Sequence, residues 1–321
     1  MQKNARIFVA GHTGLLGTAL MTLLQKEGYS TLLTKTHKEL DLTDAQATLA
    51  FFRESKPQYV FLVAGKVGGI LANVLQPTEF FTENIAIQNN VLFAAKETGV
   101  KKLLFHGSAC IYPKNAKQPI TEYSLLSGEL ESSNKAYALA KISGITLCQS
   151  MRAQYGCNFI CAMPTNMYGP NDNFDLQTSH VIPALIRKIH EAKEAKSSFV
   201  DIWGNGNATR DFLYVEDCAS AFLHLMNKYD SADIINVATG EEVGIRSLAE
   251  TICDIVGYQG ELRFDADKLQ GVKRRLLDVQ KIHDLGWQHA YSLEEGLRKC
   301  YDWYRLQDST KRKREISTAL M

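Results

Sequence analysis

In the stretch Ser133-Asn134-Lys135-Ala136-Tyr137-Ala138-Leu139-Ala140-Lys141, a phenol and an ammonium stand four residues apart. The Ala, Leu and Lys content favours helix, so Tyr137 and Lys141 project from one face about one turn apart. An ammonium in hydrogen-bonding range stabilises phenolate, and the pair therefore predicts a tyrosine pKa drawn from its usual value near ~10 toward neutrality. Such a group can pass a proton to and from a reacting oxygen. An exposed helical Tyr/Lys pair has the same spacing, so its meaning depends on what the rest of the chain brings beside it.

The elements that must position this pair begin at the N-terminus. Arg6 to Ala10 has the pattern of a short buried strand and is followed at once by Gly11-His12-Thr13-Gly14-Leu15-Leu16-Gly17 and a helical run from Thr18 to Glu27. Strand, glycine turn and helix come in the order of a phosphate-binding βα unit, where backbone N–H groups at the helix start face a pyrophosphate. The spacing G-x-x-G-x-x-G departs from the strict G-x-G-x-x-G form. About twenty residues past the third glycine, where a carboxylate would hold an NAD ribose, the chain reads Thr34-Lys35-Thr36-His37-Lys38. Basic groups there suit a 2′-phosphate and favour NADPH. Glu39 and Asp41 follow and could contact the ribose, although Asp41 reads more as a loop residue near the adenine.

Further buried strands are expected at Tyr59 to Ala64, ending in Gly65, at Lys102 to Ser108, and at Phe159 to Met163, ending in Pro164-Thr165-Asn166-Met167. A helix is expected from about Phe80 to Thr98. Alternating strands and helices predict an α/β fold with a doubly wound parallel sheet, whose ligands gather at the carboxyl ends of the strands. Ser108 stands at such an end, placed to hydrogen-bond a substrate carbonyl beside Tyr137. From Asn171 the pattern is less regular, with a helix opening at Ser179-His180, a short strand at Phe199 to Trp203, and a helix ending near Lys228. The expected division is a dinucleotide-binding unit of residues 1–170 plus about 208–235, and a smaller substrate unit of about 171–207 plus 236–321.

Composition narrows the partners. With 36 Lys and Arg against 35 Asp and Glu, dispersed along 321 residues, the chain has no broad footprint for nucleic acid or a membrane surface. The Lys311-Arg312-Lys313-Arg314 run reads as a solvated tail. Apolar runs are far too short to span a bilayer. Seven cysteines without C-x-x-C or Cys/His ligand spacing point to a reducing, cytoplasmic setting and no metal.

The glycine loop, Ser108, Tyr137-x-x-x-Lys141 and Arg210-Asp211-Phe212-Leu213-Tyr214-Val215 together resemble the extended short-chain dehydrogenase/reductase family. Four longer stretches resemble its GDP-L-fucose synthase subfamily: Lys66 to Ile70, Gly107 to Lys114, Met163 to Pro170 and Ser179 to Leu185. The resemblance implies NADPH-dependent reduction of the C4 ketone of a GDP-4-keto-6-deoxy sugar, with epimerisation at C3 and C5, giving GDP-L-fucose. It implies Cys110 and His180 as the base and acid for epimerisation, and Ser108, Tyr137 and Lys141 for reduction. It carries the cofactor onto the glycine loop, Lys35, His37, Asp41, Ala64, Gly65, Pro164, Asn166, Met167 and His180. It places the GDP-sugar on Lys188, Trp203, Arg210 and Asp278, beside Ser108 and Asn166, and implies a homodimer through the two long helices. The family's second serine is Ala109 here, its Pro-Thr-Asn-Glu-Pro segment is Ser132 to Ala136, and its 2′-phosphate Arg is His37. Two other readings stay open: a C4 reductase of another GDP-4-keto-6-deoxy sugar, such as a 6-deoxy-heptose, with little epimerisation, and a non-catalytic cofactor-binding regulator. The second of these usually loses Ser, Tyr or Lys, and all three are kept.

Overall fold

Buried β-branched and aromatic runs form the centre of the molecule. The computed structural model describes residues 1–268 and 271–319, with side chains through Gln307. Strands β1 (Ile7–Ala10), β2 (Leu32–Leu33), β3 (Tyr59–Leu62), β4 (Lys102–His106) and β5 (Phe159–Pro164) lie in one parallel sheet. Its sixth strand comes much later in the chain and pairs in parallel with β5, giving the spatial order β2-β1-β3-β4-β5-sixth. The connection from β2 to β3 passes over β1, so the order reverses between β1 and β3. That is where an open α/β sheet leaves its ligand crevice.

Helices cover both faces. They are α1 (Leu15–Lys26), α2 (Ala45–Ser55), α3 (Ile70–Leu75), α4 (Pro77–Glu97) and α5 (Lys135–Tyr155) in the first half. One apolar layer holds Phe8, Phe52, Leu103 and Phe105 with Val91 and Ile145 of α4 and α5; the other holds Ile7, Val9 and Leu104 with Leu20 of α1. Helix α2 starts on Asp44, whose carboxylate accepts the Gln46 and Ala47 amides. The helix expected around Tyr137 starts later than the residue pattern suggests: Ser132–Asn134 form a 3₁₀ turn, tied down because Glu131 accepts the Ser133 amide and hydroxyl, and α5 begins at Lys135.

The second half returns one strand to the central sheet. Strand β6 (Asn166–Tyr168) leads to α6 (Val181–Glu194), β7 (Phe199–Trp203), β8 (Thr209–Arg210), β9 (Phe212–Tyr214) and α7 (Val215–Lys228). Then come the sixth sheet strand, β10 (Ile234–Val237), and β11 (Val243–Gly244), α8 (Ile245–Val256), β12 (Glu261–Asp265), β13 (Arg274–Arg275), α9 (Gln280–Asp284) and α10 (Leu293–Ala319). Strand β10 spans the expected division at residues 235/236, and Ile282 and Trp287 pack into the sheet core behind it. Outside the central sheet, β6 pairs with β9, β7 with β12, and β8 sits between β11 and β13. A third core, with Ile186, Leu248, Ile252 and Leu297, joins α6, α8 and α10. The Lys311–Arg314 run falls in α10, outside the described side chains.

Three buried charges fasten these parts. Asp211 accepts the Thr239 amide and hydroxyl and the Gly240 amide, and Asp217 accepts the Ala290 and Tyr291 amides. The Lys102 ammonium donates to the carbonyls of Leu225, Met226 and Tyr229 at 3.1, 2.9 and 2.5 Å. A cation there satisfies carbonyls that the end of α7 leaves open. No described helix is long and apolar enough to cross a membrane.

Candidate active site

Ser108 follows β4 and precedes a 3₁₀ turn, Ala109–Ile111, where its hydroxyl accepts the Cys110 amide at 3.2 Å. The turn's buried Ile111 holds this corner against the sheet. Helix α5 brings Tyr137 and Lys141 to the same strand end. The Tyr137 ring packs edge-on against Phe80 at 6.2 Å, and Lys141 Nζ donates to the His106 carbonyl at 2.9 Å. Both residues are buried, at 8% and 3% exposure.

The pKa expected for Tyr137 is corrected by this burial. Desolvation raises it, the neighbouring Cys110 raises it further, and the Ser108 hydroxyl lowers it by less. The Lys141 ammonium is aligned on the His106 carbonyl and stands 5.8 Å from the Tyr137 ring centroid, so it does not offset the loss of water around the phenol. Desolvation also acts on the lysine, bringing its pKa down to about 8. At neutral pH the corner therefore holds a protonated phenol beside a charged ammonium, a proton donor next to a cation.

Cys110 packs with Ala72, Phe80 and Tyr137, and its sulfur receives a hydrogen bond from Asn134 Nδ2 at 3.2 Å. The opposite wall comes from the Thr178–His180 segment. Gly69 donates its amide to the Thr178 carbonyl at 2.8 Å, and a Cβ at Gly68 would stand 3.2 Å from Phe80 and 3.3 Å from that carbonyl. Phe80 thus links the Tyr137 corner to the segment ending in His180. His180 is an exposed residue, and desolvation by the surrounding protein holds its pKa below the ordinary histidine value.

The crevice at the sheet's reversal point fits a dinucleotide. Gly11 has φ +91° and its missing Cβ would lie 2.7 Å from the Ala64 amide nitrogen; a Cβ at Gly17 would lie 2.0 Å from the Gly11 carbonyl. Only glycines permit this approach of loop, strand end and helix. Gly14 starts α1 without any side-chain cap, leaving N–H groups for an anion, and Thr13 is exposed there. Leu15 is half-buried and Leu16 packs into the core, so these two offer backbone only. Gly65 adjoins both Asn84 and Lys141, which brings this crevice to the catalytic corner. Pro164 is buried at the end of β5, while Asn166 and Met167 are half-buried in β6. Lys35 and His37 are exposed at the far end; Asp41, 3.8 Å from His37, accepts the Thr43 amide and hydroxyl, and Glu39 accepts those of Thr36.

Lys188 and Trp203 form one cluster, with the ammonium 5.6 Å from the ring centroid and donating to the Asp201 carbonyl. Arg210 and Arg275 form another, nearer Cys110. Burial, then the neighbouring Arg275, bring the Arg210 pKa down to about 10, with Cys110 and Glu131 opposing. Arg275 donates to the carbonyl of Ala109 and is itself buried. The Asp278 carboxylate accepts the Gln280 amide at 3.0 Å, a local turn at the start of α9. Sequence reading gave no role to Arg275, Phe80 or Asn134. Arginine in a short irregular strand carries no periodic signal, and Asn134 has the type of an ordinary helix cap. Among the described residues no group of His, Cys, Asp and Glu could hold a metal.

Comparisons with known proteins agree with this geometry. The model of the NAD dependent epimerase/dehydratase family matches residues 7–238. The GDP-L-fucose synthase 1 of Arabidopsis thaliana is 50% identical over 302 residues, 94% of this chain and 94% of its own. A crystal structure of a GDP-6-OMe-4-keto-L-xylo-heptose reductase from C. jejuni superposes with TM-score 0.91 at 39% identity, covering 96% and 99% of the two chains. A GDP-L-fucose synthetase from Naegleria fowleri bound to NADP gives TM-score 0.89 at 31% identity over 97% and 95%. Glycine crevice, strand-end serine and Tyr/Lys helix, carried on a chain that matches across nearly its full length, place this protein in the NAD dependent epimerase/dehydratase family of extended short-chain dehydrogenase/reductases.

Proposed function

We propose that the protein converts a GDP-4-keto-6-deoxy sugar to GDP-L-fucose, epimerising C3 and C5 and reducing the C4 ketone with NADPH. The observation that carries this reading is one corner where the buried Tyr137 and Lys141 meet a half-buried Ser108 and a half-buried Cys110. The backbone of Gly11, Thr13, Gly14, Leu15, Leu16 and Gly17 holds the cofactor's diphosphate, and Lys35, His37 and Asp41 its adenosine end. Ala64, Gly65, Pro164, Asn166, Met167 and His180 line the path to Lys141. When bound, the reduced nicotinamide supplies the hydride.

The ketone acidifies the hydrogens on C3 and C5. Cys110, as thiolate, takes the proton from one face: the C–H bond breaks, S–H forms, and the electron pair moves onto the C4 oxygen. His180, once it has taken up a proton from solvent, returns one from the other face, and its lowered pKa makes the imidazolium a readier donor. Tyr137 then protonates the C4 oxygen on reduction, and its raised pKa keeps it in the donor form this requires. Ser108 aligns that oxygen, while the Lys141 charge favours a negative phenol once the proton has left. Arg210 and Lys188 suit the diphosphate, Trp203 offers a flat face, and Asp278 accepts from sugar hydroxyls.

A reductase of another GDP-4-keto-6-deoxy sugar, a heptose among them, is the second reading. The likeness to the C. jejuni enzyme and Ala109 at the family's second serine favour it. Turnover in deuterated water separates the two. Deuterium at C3 and C5 of the product is expected; NADPH consumption without it would remove the epimerase half.

Exposed apolar residues on the two long helices, Phe81 and Phe93 on α4 and Leu139 on α5, support a homodimer through these helices. Light scattering should find a dimer that Phe93→Glu weakens. Seven unpaired cysteines support a reducing, cytoplasmic setting. The separate core joining α6, α8 and α10 supports a sugar-binding unit beside the cofactor-binding one.

A further inference from the structure

Asn134 stands at the first cap position of α5, a place where asparagine ordinarily bonds the helix's free amides. Here it makes no such bond. Its Nδ2 instead donates to Cys110 Sγ at 3.2 Å, the sole hydrogen bond to that sulfur among the described residues. Its Oδ1 is buried and has no hydrogen-bond partner. The preceding turn is fixed by Glu131 through the Ser133 amide and hydroxyl, so the side chain is held in place without a capping bond. A buried, unpartnered acceptor beside the Cys110 sulfur is suited to a ligand hydroxyl, because leaving it unpaired is costly.

We propose that Asn134 is a positioning residue for proton exchange: its amide N–H steadies negative charge on the Cys110 sulfur, and its carbonyl accepts a hydroxyl of the bound sugar. The inference rests on the epimerase reading above. It extends that reading by tying sugar capture to the thiol that must attack. A donor facing the sulfur favours the thiolate that receives the carbon-bound proton, and a sugar hydroxyl on the same amide sets that carbon in line. Tyr137 and Arg210 also adjoin Cys110, but neither makes a hydrogen bond to its sulfur.

Aspartate and serine separate this role from a helix cap. Both are good caps, so a purely structural Asn134 is replaced by either without loss. In the proposed role Asn134→Asp sets a carboxylate against the thiolate and is the more harmful change. The NADP-loaded holoenzyme is given GDP-4-keto-6-deoxy-D-mannose in deuterated water, and iodoacetamide labelling of Cys110 is read by mass spectrometry against Cys157 of the same chain. In Asn134→Asp, deuterium exchange is expected to fall about ten- to hundredfold, the scale of a hydrogen bond to a charged group. The Cys110/Cys157 labelling ratio should fall with it, Asn134→Ser should lose less, and exchange should lose at least tenfold more than reduction of an already epimerised substrate, measured separately with NADPH. Asn134→Asp with wild-type exchange and labelling would overturn the proposal. Should the wild-type protein exchange no deuterium, the epimerase reading fails by itself. The labelling ratio then still decides the Asn134 contact: a lower ratio in the aspartate variant upholds it, and an unchanged one defeats it.

Discussion

Tyr137 and Lys141 lie on the inner side of one helix, 8% and 3% exposed, whereas Cys110 is half-buried in a three-residue turn and His180 is exposed at the start of another helix. The first pair is set by α5 packing on α4 and the sheet; the second depends on two loops that meet through Gly68, Gly69 and Phe80. One proton delivered to one oxygen benefits from a rigid, dry seat, and the penalty is visible in the shifted pKa values of both groups. Proton exchange at two carbons needs groups on facing walls. In the proposed reaction, the step with a single geometry falls to the buried pair, and the step that must reach two positions falls to the less buried one.

The strongest test of this contrast is Tyr137→Phe, expected to lower reduction about a thousandfold. GDP-sugar binding by calorimetry should be unchanged; wild-type turnover would remove the phenol from the reaction. Next, Cys110→Ser should lower deuterium exchange about a hundredfold and reduction of an already epimerised substrate by less than about fivefold. Equal losses would merge the two corners into one device.

A smaller effect concerns the cost of the dry seat. The folded pKa of Lys141, about 8, lies below its ordinary 10.5, so between those values the unfolded chain binds a proton that the native one has released. Wild-type stability therefore rises with pH through that window, and the burial cost is present in full below pH 8. Lys141→Met should be inactive yet more stable at pH 7 by roughly 2 kcal/mol, the ~3 kcal/mol implied by the shift less about 1 for the lost hydrogen bond to His106. Urea titrations at pH 7 and pH 10 check this, and an equal gain at both would refute the cause. The smallest effect is expected at the rim: exposed His37→Ala should raise the KM for NADPH about threefold, within the range of a screened surface contact. No change would free the adenosine end from basic residues.

The sheet and its crevice were legible because buried strands write short apolar runs, as at Tyr59 to Leu62 and Leu103 to Phe105, and because Gly11 and Gly17 answer to close contacts that only glycine allows. The chemistry of the Tyr137 corner was legible in its residue types, but not in its electrostatics. Spacing along a helix puts Lys141 near the phenol; it does not reveal that the ammonium is directed at the His106 carbonyl or that the surroundings exclude water. The second half was harder for a related reason. Strands of two or three residues, such as β8, β9 and β13, are too short to show alternation, and their pairing is set by contacts across the chain.

Arg275 gives this arrangement a mechanical consequence. Its guanidinium, on the short strand β13, donates to the carbonyl of Ala109, immediately before Cys110 in the turn after β4. A shift of β13 therefore carries the Cys110 turn with it. In the proposed reaction, any displacement of this strand by a bound sugar is also a displacement of the thiol, with one arginine as the tether.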